Sequence, residues 1–251
     1  DLRPADRERR ISRFERGESK GRRADFLDLL KDEEISINPC LYAMEGSLQR
    51  IPDDTHVRQE FEQAIARLSR ALPKAKLMIG SRSIDGIMGL IEEARPSLER
   101  KQRFLQSIAP ILQSPIGAQR QNQVWCEVLS IAKGCGVAPT DLVVLAALSA
   151  VVTPQSSPAR KLLKFQPGYK ASLAYNALCD LRALEYLLNC TARYPELRVQ
   201  LCTADRALAL FWTALGAVSR LEKDRLRMEM TPHAALLPPV WLERWNRIST
   251  G

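Results

Sequence analysis

Two histidines, four tryptophans and no stretch of about 18 uninterrupted apolar residues are what this 251-residue chain offers where such features matter most. Each scarcity excludes something. Without a long apolar run, no bilayer-spanning helix is expected, and the charged opening Asp1 to Arg10 lacks the apolar core of a signal peptide. His56 and His233 fall in a polar loop and near a strand end, so chemistry built on a histidine base is disfavoured. The six cysteines (Cys40, Cys126, Cys135, Cys179, Cys190, Cys202) form no C-x-x-C pair. They read as free buried thiols of a reducing compartment, and the cytoplasm is the expected location. No phosphate-cradling glycine loop ends in Gly-Lys-Ser/Thr, because Gly80-Ser81-Arg82-Ser83 is too short, and no G-x-S-x-G elbow occurs. The tryptophans and Tyr169, Tyr175 and Tyr186 have no stacking-platform spacing and read mostly as core.

What is present is a basic, otherwise ordinary globular composition. Formal charge is +8 from 37 Lys and Arg against 29 Asp and Glu, with 45% hydrophobic residues. Excess positive charge speeds encounters with polyanions and supplies phosphate contacts. The excess is concentrated between Arg3 and Arg23, where Asp6, Glu8, Glu15 and Glu18 are interleaved. A solvated helix face and a nucleic-acid-facing surface explain that segment equally well.

Periodicity predicts helices at Ala5–Arg16, Ala24–Leu30, Val57–Leu72, Ser83–Glu93, Ser97–Leu112, Gln121–Lys133, Leu142–Val152, Ala171–Ala192 and Arg206–Leu221. A further helix starts at Leu41, with Glu45 at its beginning. Strands are expected at Glu34–Ile37, Val199–Cys202 and Leu226–Met230, and Ala75–Ile79 is too short to assign. Thr153 to Pro158 is the most linker-like stretch. The tail, with Trp241 and Trp245, is expected to pack back onto the body. Strands separated by helices argue for an α/β fold with a parallel sheet in one domain spanning 1–251, with residues 55–152 as a large helical insertion or subdomain.

The chemistry-bearing residues are acidic. Asp180 lies on an apolar helix among Leu178, Leu181 and Leu184, where an interior carboxylate needs a partner or a metal. Asp205 follows the Val199–Cys202 run, at the carboxyl end of a strand, where open α/β sheets build ligand sites. With Glu45 they make a set suited to a hard divalent cation. Thr203 is placed to orient Asp205, and Asn176 shares a helix face with Asp180. Each has a plain alternative: Asp205 as a helix cap, Glu45 as a solvated helix residue, Asn176 as a solvating neighbour of Asp180. Asp141, in Pro139-Thr140-Asp141-Leu142, rivals Glu45 as the third acid but carries an ordinary cap signature. Tyr169-Lys170 is a weak candidate for a backbone-phosphate contact.

The run Ser36-Ile37-Asn38-Pro39 to Glu45, then Asp180, then Thr203-Ala204-Asp205, resembles the PIN-domain nucleases over roughly 60 residues. That resemblance implies a small parallel sheet wrapped by helices and hydrolysis of phosphodiester bonds, most often in RNA. It implies Mg²⁺ or Mn²⁺ held by Glu45, Asp180 and Asp205 as catalytic residues, with Thr203 and Asn176 supporting. The family's opening strand with its aspartate is not found in the first thirty residues, so it lies upstream of Asp1 or is lacking. A lacking strand points to the alternative, a catalytically inactive PIN-like module that binds nucleic acid or assembles with protein. A homo-oligomer or protein partner is left open, a membrane partner is not expected, and a mostly helical adaptor is the third reading.

Overall fold

The computed structural model describes residues 36–155, 157–201, 203, 205–222 and 225–249. The expected helices at Ala5–Arg16 and Ala24–Leu30, the basic segment from Arg3 to Arg23, and Cys202 lie outside the described residues. Two compact units emerge, and the boundary falls between Glu99 and Arg100. The 55–152 segment therefore contributes to both units.

In the first unit, β1 (Ser36–Ile37) pairs in parallel with β2 (Lys76–Leu77), in the register Ser36 to Lys76 and Ile37 to Leu77. Helix α1 (Cys40–Glu45) begins at once after Pro39 and packs on α2 (Asp54–Ala71). Gly46, at φ 62°, ends α1 and donates its N–H to the Tyr42 carbonyl, so Glu45 closes the helix instead of opening it. Glycine fits there because its missing Cβ removes the penalty of the left-handed region. Helix α2 starts earlier than its apolar period suggests: Asp53 caps it, accepting from the His56 N–H at 2.9 Å. Val57, Phe61 and Ala64 form its buried stripe.

The boundary lies within α3 (Ser83–Leu112), one continuous helix where two were expected. Pro96 removes one donor from the ladder, a feature that ordinarily breaks a helix. Here Ile87, Ile91, Leu98, Leu105, Ile108 and Leu112 remain buried on both sides of it, and that apolar stripe outweighs the lost bond.

The second unit is organised around α5 (Leu142–Val152), whose every residue is buried. A helix apolar on all sides is stable only in an interior. It packs on α4 (Ala118–Gly134), α6 (Pro158–Leu163) and α7 (Ala171–Arg193). The supposed linker is a tight corner: Ser157 is buried, shares a 3.0 Å hydrogen bond with Ser149, and accepts the Arg160 N–H to start α6.

After α7, the β-like run is not a strand over its described residues, 199–201. A short 3₁₀ turn (Pro195–Leu197) and Arg198 at φ 46° redirect the chain, and among the described residues no strand pairs with Val199 and Leu201. Helix α8 (Arg206–Leu215) ends at Gly216, φ 56°. The sequence beyond, read as more helix, turns into β3 (Ala217–Glu222), which pairs antiparallel with β4 (Arg225–Met230). Alternation puts Val218, Arg220 and Glu222 on the outer face, and the hairpin lies against α7, where Ser219 donates to the Leu188 carbonyl at 2.6 Å. The tail forms α9 (Pro239–Ser249) and packs back as expected, with Trp241 4.9 Å from Trp125 and Trp245 fully buried. The described residues are thus mainly helical with one small parallel pair, a coarse α/β arrangement. None of their helices is long and apolar enough to cross a membrane.

Candidate functional site

Asp205 is held by its own helix. Its backbone is extended, and its Oδ1 accepts from the Ala207 N–H at 2.7 Å and the Leu208 N–H at 3.0 Å. Thr203 Oγ1 accepts the Asp205 N–H at 3.0 Å, so the threonine fixes the aspartate through its backbone. A carboxylate in this position also faces the positive end of the helix dipole. The cap engages Oδ1 alone.

Asp180 sits mid-way along α7, with Leu178, Leu181 and Leu184 buried around it. It is half-buried itself, so it borders the core and is not enclosed by it. Asn176, one turn earlier, is also half-buried. Helix α8 packs against both α7 and α6, so Asp180 and Asp205 belong to the same unit on adjoining helices. Glu45 is exposed and belongs to the first unit. Among the described residues, no three His, Cys, Asp or Glu side chains gather as a metal-holding group.

Asp141 is the cap that its signature suggests: Oδ1 accepts the Val143 N–H at 3.0 Å to begin α5. Its other oxygen does something periodicity could not reveal. Lys101 Nζ lies 2.9 Å from Asp141 Oδ2 and 2.7 Å from Glu185 Oε1, so one ammonium joins α3, the start of α5 and α7. Burial pulls the Lys101 pKa down, but the two carboxylates outweigh burial and leave it raised. The only advance signal was the Asp141 cap itself.

Other expected roles resolve into packing. Tyr169 donates its hydroxyl to the Leu163 carbonyl at 2.9 Å, its ring lies tilted against Phe165 with centroids 5.3 Å apart, and burial raises its pKa far above the ordinary tyrosine value. Its hydroxyl proton is therefore committed to the fold. His233 accepts the Ala235 N–H through Nδ1, and His56 lies 3.4 Å from Glu60. Cys126 is exposed, and Cys40, Cys135, Cys179 and Cys190 are half-buried, so none of these five has the full burial that their apolar neighbours suggested. No family model, curated protein or solved structure matches this chain.

The acids still have the right chemistry for a hard cation, since Mg²⁺ and Mn²⁺ take carboxylate oxygens and keep several waters. Asp180 and Asp205 share one unit, and Glu45 belongs to the other.

Proposed function

We propose that this chain is a PIN-like, metal-dependent nuclease of the cytoplasm that hydrolyses phosphodiester bonds, with RNA as its main substrate. The observation that supports it best is the pairing of α7, which carries Asp180 and Asn176, with α8, whose first turn is capped by Asp205 two residues after Thr203. Asp180 and Asp205 are the residues that would hold Mg²⁺ or Mn²⁺. When bound, such an ion supplies Lewis acidity toward the phosphoryl oxygen and a more acidic water. The protein's part is to keep the Asp205 carboxylate fixed at the helix end, where it loses little rotamer freedom on binding. A net charge of +8 favours capture of a polyanionic substrate.

The test uses the purified chain, a labelled single-stranded RNA and Mn²⁺. Cleavage is expected, with chelation abolishing it and with Asp180→Asn and Asp205→Asn each reducing it at least about 100-fold at unchanged thermal stability. Failure to cut RNA or DNA with either ion, or cutting by the variants at the wild-type rate, would remove the proposal.

A further inference from the structure

Strand β4 is a sheet edge that its own sequence does not blunt. The hairpin touches α7 mainly through β3, where Ser219 bonds to the Leu188 carbonyl, so β4 forms the outer side. The Thr231 N–H donates to the Gly216 carbonyl at 3.2 Å, which makes these two a hydrogen-bonded pair in line with the β3–β4 register. Such pairs alternate along antiparallel strands. Glu229, Arg227 and Arg225 therefore direct their N–H and carbonyl groups at β3, whereas Leu226, Met228 and Met230 direct theirs outward. Among the described residues no strand pairs with that edge. Open edges are ordinarily protected by like charges, a proline or a bulge. β4 contains no proline, its register with β3 runs unbroken, and the charges flanking Met228 differ in sign.

The run Leu226-Arg227-Met228-Glu229-Met230 is complementary to itself when set antiparallel about Met228. Outward-directed residues then meet their like, as a ladder requires: Met228 with the partner's Met228, and Leu226 with the partner's Met230. Between them, Arg227 lies directly opposite the partner's Glu229, twice by symmetry. A slip of two residues either way sets Arg227 against the partner's Arg227, or Glu229 against the partner's Glu229. A slip of one residue destroys the ladder, because outward groups then face inward ones.

The side chains suit this arrangement. Arg227 is 70% exposed, and Glu229 is exposed as well. Within the hairpin Arg227 stands opposite Arg220, a like-charge pair that costs stability, and Glu222 answers it diagonally at 2.9 Å. The partner's Glu229 adds a carboxylate on the open side. On the other face Leu226, Met228 and Met230 are only half-buried, so pairing withdraws more apolar surface from water.

We infer that two copies of this chain pair through β4, antiparallel and centred on Met228, to make one continuous four-stranded sheet. A two-fold axis closes such a contact at two copies, and four strands are sturdier than an isolated hairpin. This pairing is independent of the nuclease reading.

The experiment is sedimentation velocity on the full chain over a concentration series, for wild type, Arg227→Glu, Glu229→Arg and an equimolar mixture of the two variants. Wild type is expected to dimerise as concentration rises. Each variant alone should dimerise at least about tenfold more weakly, because it sets like charges opposite one another twice. The mixture should recover the wild-type affinity, since every carboxylate then faces a guanidinium. Hydrogen exchange of the wild type should show the amides of Leu226, Met228 and Met230 slowing as the dimer forms. The inference is overturned if wild type stays monomeric throughout, if either variant alone dimerises like wild type, or if the mixture associates no better than its components. A wild-type dimer in which those three amides exchange as fast as in the monomer overturns it too.

Discussion

Lys101 Nζ and Glu185 Oε1 lie 2.7 Å apart although 84 residues separate them along the chain. With Asp141 Oδ2 at 2.9 Å, they tie three helices of the second unit through one ammonium. Removing the lysine leaves two carboxylates facing one another without a counter-charge. Lys101→Met is therefore expected to cost about 1–3 kcal/mol at neutral pH, read by urea denaturation; the range sits below that of fully buried pairs because Glu185 is partly solvated. The pH dependence has a definite sign. A lysine whose folded pKa is raised stabilises the fold below its unfolded value of about 10.4 and loses that contribution as pH rises through the folded value. The gap between wild type and variant should narrow above about pH 10 and stay constant between pH 7 and 9.

Capping and any metal role of Asp205 can be separated by one choice of substitution. Asparagine caps as well as aspartate, so Asp205→Asn should keep stability within about 0.5 kcal/mol, whereas Asp205→Ala should lose about 1 kcal/mol. Thr203→Val removes the acceptor of the Asp205 N–H and is expected to cost about 1 kcal/mol. Thermal melts of the three variants check this order. Equal melting temperatures for Asp205→Ala and Asp205→Asn would show that the cap contributes nothing.

The Tyr169 hydroxyl is committed to the Leu163 carbonyl, which closes the loop between α6 and α7. Tyr169→Phe should lower stability by about 1–2 kcal/mol, because the carbonyl loses its donor. Burial raises this phenol's pKa, so the folded state resists its ionisation and stability should fall as pH climbs above about 10. An ultraviolet titration should show one tyrosine that ionises late in wild type and is missing in the variant.

Gly216 ends α8 at φ 56° and starts the turn into β3. A side chain there meets the left-handed penalty, so Gly216→Ala is expected to cost about 1 kcal/mol and Gly216→Val more. Denaturant midpoints compare the two; a valine variant as stable as wild type would mean the helix end tolerates ordinary backbone angles.

Signals carried by neighbouring residues were legible in the chain itself. The all-apolar run from Leu142 to Val152 is a helix with those bounds, and Asp141 before it is the cap, because capping is a contact across two residues. The alternation from Leu226 to Met230 is a strand for the same reason: period two needs no distant information. The Asp205 cap and its Thr203 acceptor likewise follow from spacing alone.

Tertiary structure decided the matters in which a distant partner chooses between two local options. Ala217 to Leu221 suits a helix or a strand, and pairing with β4 selects strand. Val199 to Leu201 has strand composition, but among the described residues no strand pairs with it, and an unpaired run of three residues gains nothing from extension. Pro96 passes through α3 since burial on both sides outweighs one missing bond. The sharing of Lys101 by Asp141 and Glu185 exists only once helices meet. Charge pairing and burial are properties of space, and chain order encodes them only through the fold.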